Sequence, residues 1–219
     1  MTVQEQRDPT ASRPLPPPTG AGFADPGPLG LAGFAATTFF LSVVNTNMVG
    51  ASVTSAVFGL AMFYGGIAQL LAGMWEFAKG NTFGAVAFSS YGAFWLSFWY
   101  LLHDAVPSQV AAKANVVDVL HGVALYLLVW AIFTAYMTVA SMRTTGAITT
   151  VFVLLTLTYI ALVIGFFAES PAQFAANSNG WIRLGGWLGI LTALAAWYAS
   201  FAGVTNSTFK RVVAPVFPR

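Results

Sequence analysis

The chain has 219 residues, of which 57% are hydrophobic and only 7% charged, and its formal net charge is +2. Soluble domains carry about 25% charged residues, and a soluble globule of this length could not hide so much apolar surface from water. The high hydrophobic content therefore excludes a soluble enzyme and a disordered protein. A nucleic-acid-binding protein is excluded as well, because a net charge of +2 is too weak for a phosphate-binding surface.

Residues 1–28 form a region of their own. Seven prolines lie there among mostly polar or small residues. This composition is typical of a disordered, proline-rich arm. We predict three regions: this arm over residues 1–28, a transmembrane domain over residues 29–205, and a basic cytoplasmic tail over residues 206–219.

The region after residue 28 is almost continuously apolar, and no charged residue occurs between Asp25 and Glu76. Such a run is too long for one membrane span, because a helix rises about 1.5 Å per residue and the hydrocarbon core is about 30 Å thick. We predict an all-α membrane protein, a bundle of six transmembrane helices with a channel-like protomer. The predicted spans are about 29–49, 54–77, 83–103, 118–142, 147–168 and 181–204, with a polar loop over Asp104–Val117.

The placement of lysine and arginine predicts the orientation. If both termini are cytoplasmic, seven of the nine basic residues fall on the inner side and only Lys113 and Arg183 fall outside. Basic residues concentrate in cytoplasmic loops. We therefore expect a multi-pass protein of the cell membrane with both termini in the cytoplasm. The seven inner residues are Arg7, Arg13, Lys79, Arg143, Lys210, Arg211 and Arg219.

Polar side chains inside the predicted spans are candidates for a solute path. Thr38, Ser42 and Asn45 are spaced by four and three residues, so they share one face of the first helix. Thr37 lies beside this face, and Gln69 lies in the second helix. Hydroxyl and amide groups of this kind either line a path for a small polar solute or join neighbouring helices. The spacing leaves both interpretations open.

Glu76 is a carboxylate near the end of the second predicted span. A charge at the centre of a membrane costs about 2.5–3.5 kcal/mol on insertion scales. The residue lies three positions before Lys79, which is within pairing range on a helix. Glu76 either forms a local ion pair or a contact with the Asn81–Thr82 backbone, or exchanges protons at the mouth of a path.

We expect no cofactor, no metal and no enzymatic activity. The chain has no cysteine, so thiolate ligands and disulfides are excluded, and its two histidines are too few for a rich metal site. Nucleotide-binding and hydrolase motifs are also absent from the sequence. A channel, a secondary transporter or a structural membrane protein remains.

Three ordered blocks of sequence resemble the acetate/succinate transporter (AceTr) family. The first is D-P-G-P-L-G-L at Asp25–Leu31, similar to the family signature N-P-[AG]-P-L-G-L with Asp25 in place of asparagine. The second is F-Y-G-G-I-A-Q-L-L-A-G-M-W-E-F at Phe63–Phe77. The third is K-G-N-T-F-G-A-V-A-F-S-S-Y-G-A-F-W-L-S-F at Lys79–Phe98. Both asparagine, the signature residue, and aspartate, which this chain has at position 25, can cap the first helix.

The resemblance implies a homohexamer in which each protomer carries its own path for acetate, and in some members succinate. Transport would be proton-coupled symport or anion conduction. The narrow point of the path would be formed by Phe34, Tyr91 and Leu155, the last of which lies beside Leu154. The polar groups named above would donate to the solute carboxylate: Thr37, Thr38, Ser42, Asn45 and Gln69.

Two other functions remain open at the level of sequence. One is a channel for a small neutral solute or ammonium. The other is a membrane sensor or scaffold without transport activity, in which the proline-rich arm binds a partner. The expected partners of the transporter are a small carboxylate, protons and the lipid bilayer.

Overall fold

The computed structural model describes residues 22–176 and 178–218. Within these ranges the chain is almost entirely helical, and the only extended pairing is an isolated bridge between Thr145 and Pro218. Most of the predicted proline-rich arm, residues 1–21, lies outside the described residues. The first helix begins at Gly27.

Six helices among the described residues are long and apolar enough to cross a membrane, which confirms the predicted fold class. The last two are joined by a short helix, α6. The helices are α1 (Gly27–Asn45), α2 (Ala51–Lys79), α3 (Thr82–Ala111), α4 (Val116–Ser141), α5 (Gly146–Ala168), α6 (Pro171–Ala176) and α7 (Gly180–Phe209).

The predicted loop over Asp104–Val117 is wrong in its first half, because α3 continues to Ala111. A π-helical turn at Leu101–Ala105 precedes the last helical segment, and Pro107 lies in the first turn of that segment. Proline is tolerated in a first turn, where its missing N–H would have no helical partner. The wider turn therefore lets the helix pass a residue that usually ends one.

The last span is also longer than predicted, since α7 ends at Phe209 instead of about residue 204. The extra turn contains Asn206, whose side chain hydrogen-bonds to the backbone of Val213 and Ala214. Its polar groups are thus satisfied by the chain that follows. Lys210, the residue that follows the helix, adopts a left-handed conformation with φ of 55°.

The six spans form a ring in chain order, and α7 closes it by packing against both α5 and α1. Between α3 and α4 the backbones have few close contacts, and side chains make the connection. The Tyr91 hydroxyl hydrogen-bonds with Thr134 Oγ1 at 2.9 Å, and the rings of Phe94 and Trp130 lie 5.2 Å apart. The buried core is the interior of this ring.

Glycine allows α2 and α3 to pack backbone against backbone. A Cβ atom on Gly73 would lie 2.5 Å from the backbone nitrogen of Ser89, and one on Gly92 would lie 2.7 Å from that of Leu70. Small residues at such positions let membrane helices approach closely. Both glycines belong to the second and third sequence blocks.

Positive charge is divided unequally between the two ends of the ring. The end that holds Gly27 also holds Lys79 and the loop with Arg143, and the opposite end holds Lys113 and Arg183. We call these the inner end and the outer end. The segment after α7 also lies at the inner end, where the Gly146 amide donates to the Phe217 carbonyl at 2.7 Å.

We predict that Gly73→Ala destabilises the protein and that Gly59→Ala, in the same helix, does not. The added methyl group meets backbone at Gly73, and overpacking of this kind costs about 1–3 kcal/mol. Gly59 has open space around its Cβ position, and alanine there favours the helix by about 0.5–1 kcal/mol. The apparent melting temperature of the purified protein in detergent measures both effects. Equal melting temperatures for the two variants would contradict the prediction.

Candidate pathway through the helix ring

Two cavities lie inside the ring, an inner one of about 310 Å³ and an outer one of about 50 Å³. Successive stretches of the same helices line the two cavities. On α3 the inner lining ends at Phe88 and the outer lining begins at Phe94, and on α5 the change falls between Phe152 and Leu155. On α1 the outer lining begins at Phe34. The two cavities therefore lie one after the other along the ring interior.

The predicted narrow residues lie where the cavities are divided. Phe34, Tyr91 and Leu155 are each at most 5% exposed. The Tyr91 ring lies 5.6 Å from the Phe34 ring and 6.1 Å from the Phe152 ring, measured between centroids. The hydrogen bond to Thr134 holds the tyrosine hydroxyl on α4. The interior is thus closed between the cavities by a layer of aromatic and aliphatic side chains.

The structure brings three of the predicted polar residues together in the outer cavity: Thr38, Ser42 and Asn45. Among the described residues, none of these three side chains has a hydrogen-bond partner. Many other hydroxyls in the spans donate to a carbonyl three or four residues earlier; Thr158, on the opposite wall, donates to Leu154 at 2.8 Å. The α1 face therefore presents unpaired polar groups to whatever occupies the cavity.

Thr37 and Gln69 lie elsewhere. The Thr37 hydroxyl donates to the carbonyls of Gly33 and Phe34, at 2.9 and 3.0 Å, and its side chain packs against Gly65 of α2. Gln69 is buried and lines neither cavity, and its Oε1 has no hydrogen-bond partner among the described residues. The structure places both residues in helix packing, apart from the two cavities.

A cluster of polar and charged side chains lines the inner cavity. Lys79 Nζ lies 2.8 Å from Asp25 Oδ1 and 4.0 Å from Glu76 Oε2. Asn81 donates to the same Glu76 oxygen at 2.8 Å. Asp25 also accepts the amide of Gly27, the first residue of α1, at 3.0 Å, so it satisfies one of the free N–H groups at the start of this helix. Glu76 has local partners and also belongs to the cavity wall.

Several residues of the pathway were not among the sequence candidates. Phe152 contributes to the closed layer, and Lys79, Asn81 and Val216 line the inner cavity. The polar turn at residues 79–81 could have indicated Lys79 and Asn81, because its charged and amide side chains lie between two predicted spans. No sequence signal marked Phe152 or Val216, since apolar residues are common throughout this chain.

Comparison with known proteins identifies the family. The family profile described as GPR1/FUN34/yaaH matches residues 8–219. The chain belongs to the GPR1/FUN34/yaaH family. This placement confirms the resemblance carried by the three sequence blocks, and it covers nearly all of the chain.

Some relatives in the GPR1/FUN34/yaaH family have names that refer to transport. The chain is 35% identical over 194 residues to the succinate-acetate/proton symporter SatP of Escherichia coli, covering 88% of this chain and 95% of that protein. It is 40% identical over 190 residues to ammonia transport outward protein 2 of Saccharomyces cerevisiae, covering 84% of this chain and 62% of the yeast protein. The chain spans only 62% to 66% of the length of five fungal relatives.

A solved structure shows the same GPR1/FUN34/yaaH architecture. The structure of the bacterial acetate channel SatP superposes with a TM-score of 0.75 at 34% sequence identity. The similarity covers 89% of this chain and 99% of the SatP chain. The six-helix ring is therefore shared with that protein.

Proposed function

We propose that the chain transports acetate, and other small carboxylates such as succinate, through a path in each protomer. The observation that supports this most is the outer cavity, where unpaired polar groups face apolar side chains. Acetate has the same two-sided character, with a carboxylate at one end and a methyl group at the other. Thr38, Ser42 and Asn45 would meet the carboxylate, and Phe34 and Leu155 would meet the methyl group.

The charge distribution favours passage over tight binding. No lysine or arginine lies in the middle of a predicted span, so neutral groups alone would bind the carboxylate. Conduction requires binding that is weak enough to release the solute. A bare anion, however, loses hydration between Phe34 and Tyr91 without gaining a charged partner. A proton that travels with the solute would remove most of that cost.

Glu76 is the group that we propose for proton exchange. It lines the inner cavity, and its neighbours Lys79 and Asn81 hold its carboxylate beside the path. The proposed activity is therefore proton-linked symport, which agrees with the name of the Escherichia coli relative. Anion conduction without a proton is the alternative within the same site.

The proposed location is a cell membrane, with both termini in the cytoplasm. The basic residues Lys79, Arg143, Lys210 and Arg211 lie at the inner end, against Lys113 and Arg183 at the outer end, and the positive-inside rule favours a cytoplasmic inner end. We also propose a homohexamer, for which the family resemblance is the support. The protein is thus proposed to be a transporter and not an enzyme.

Ammonium transport is a second candidate. Two carboxylates, Asp25 and Glu76, and a single ammonium group, Lys79, line the inner cavity, and a net negative opening attracts cations. The name of the yeast relative points in the same direction. The two candidates differ in the solute that moves, so one flux measurement separates them.

We expect liposomes that contain the purified protein to take up labelled acetate faster when an inward proton gradient is applied at fixed membrane potential. The reason is that co-transport of a proton avoids moving a bare carboxylate through the aromatic layer. Protein-free liposomes provide the leakage control. Uptake that follows the membrane potential and ignores the proton gradient would indicate an anion channel. Flux of methylammonium without flux of acetate would support the second candidate and contradict the first.

Leu155→Ala should raise the ratio of succinate flux to acetate flux by about tenfold or more, because removing side-chain volume from a tight contact changes selectivity by about 1–3 kcal/mol. The matched control is Leu154→Ala, since Leu154 is adjacent in sequence and lines neither cavity. Competitive uptake of the two labelled solutes by liposomes measures the ratio. Equal ratios in the two variants would remove Leu155 from the selectivity layer.

Glu76→Gln should abolish the stimulation of acetate uptake by a proton gradient while leaving potential-driven flux. Glu169→Gln is the control. Glu169 lies just after α5 at the outer end, where burial raises the pKa of its carboxyl, but it lines neither cavity. We expect the gradient stimulation to survive in that variant. Loss of stimulation in Glu169→Gln, with retention in Glu76→Gln, would reverse the assignment of the proton group.

A further inference from the structure

The segment after α7 folds back along the inner end of the ring. Asn206 holds this turn: its Oδ1 accepts the amides of Val213 and Ala214, at 2.7 and 3.0 Å, and its Nδ2 donates to the Ala214 carbonyl at 2.8 Å. Lys210 permits the reversal because it is in the left-handed region. We call residues 213–218 the strap.

Both α5 and α7 anchor the strap. The amides of Gly146 and Ala147 donate to the carbonyls of Phe217 and Val216, at 2.7 and 3.3 Å. These amides begin α5, where N–H groups have no partner within the helix. The Tyr198 hydroxyl of α7 donates to the Pro215 carbonyl at 2.7 Å. The strap therefore follows a defined course across the ends of two membrane-spanning helices.

The strap contributes a side chain to the inner cavity. Val216 lines it together with Thr145, Ile148 and Phe152 of the α5 side and Phe83 of α3. The membrane-spanning helices alone thus leave the wall of this cavity incomplete. Val212, four residues earlier, does not line the cavity and is 77% exposed.

Two features at the inner end that would attract an anion are already occupied by oxygen atoms of the chain. Asp25 lies 2.8 Å from the Lys79 ammonium group, and the strap carbonyls accept the first amides of α5. Helix N-termini and ammonium groups otherwise bind carboxylates. A carboxylate that reaches the inner cavity therefore meets Val216 and its apolar neighbours beside groups that are already paired.

We propose that the strap is a wall of the solute path and that the side chain at position 216 sets the size of the inner opening. This inference rests on the proposed carboxylate transport. It assigns a selectivity role to a residue outside the six membrane-spanning helices, in a segment predicted from sequence to be only a basic tail. A larger group at position 216 obstructs the opening, and a smaller one admits larger carboxylates.

The absence of cysteine from the sequence makes a direct test simple. Val216→Cys and Val212→Cys each carry a single thiol, which a membrane-permeant benzyl methanethiosulfonate modifies reversibly. In liposomes, modification at position 216 should lower acetate flux at least about tenfold, the scale of one badly fitting group in a tight site. A reducing agent should restore the flux. The same modification at position 212 should leave it unchanged, and mass spectrometry verifies complete reaction in both variants.

A second variant tests the same proposal if Val216→Cys fails to fold. Val216→Ala should raise the ratio of succinate flux to acetate flux, because it enlarges the same opening. Acetate flux that survives complete modification of Val216→Cys, together with an unchanged ratio in Val216→Ala, would overturn the role of the strap alone. Absence of acetate flux in the unmodified natural sequence would instead overturn the proposed function, and the inference with it.

Discussion

Lipid offers no hydrogen bonds, so each polar group within a membrane must find a partner in the protein or meet a solute. Many hydroxyls in the spans of this protein donate to a carbonyl of their own helix, as Thr37 and Thr158 do. The side chains of Thr38, Ser42 and Asn45 have no hydrogen-bond partner among the described residues, and they line the outer cavity. Lack of a partner does not by itself mark a path surface, because Gln69 Oε1 and Ser89 Oγ are also unpaired among the described residues and line neither cavity. The α1 face differs in that its unpaired groups line a cavity.

The closure of the ring and the closure of the path depend on the same side chains. The backbones of α3 and α4 make few close contacts, so the Tyr91–Thr134 hydrogen bond and the aromatic contacts near it connect these helices. On α3, Tyr91 also lies between Phe88, the last residue that lines the inner cavity, and Phe94, the first that lines the outer one. A movement that opened the path at this residue would have to break or shift a contact between two helices, which couples the opening to the packing of the ring.

Charge at the inner end is balanced within the protein. Asp25 accepts the first amide of α1 and also pairs with Lys79, so aspartate at the signature position keeps an acceptor for this amide and adds an ion pair. An exposed pair of this kind contributes little stability, in general about 0–1 kcal/mol. The ion pair has a more important effect on the inner cavity, because Asp25 partly neutralises the positive charge of Lys79 there. The strap acts similarly on the first amides of α5, so the inner opening presents paired polar groups and apolar side chains.

The sequence alone was enough for properties that depend on neighbouring residues. Hydropathy predicted six spans, and helical spacing placed Thr38, Ser42 and Asn45 on one face, because both patterns are local. The resemblance correctly indicated the family. Phe34 packs against Tyr91 and lines the outer cavity together with Leu155, and the narrow point formed by these three residues stays a prediction. Tertiary structure alone decided which polar residues face inward, because the rotation of each helix depends on what packs against it. Hence Thr37 and Gln69 lie in helix packing, and Asp25 pairs with a lysine 54 positions away. Val216 reaches the inner cavity only because the chain folds back, a long-range event with no local sequence pattern.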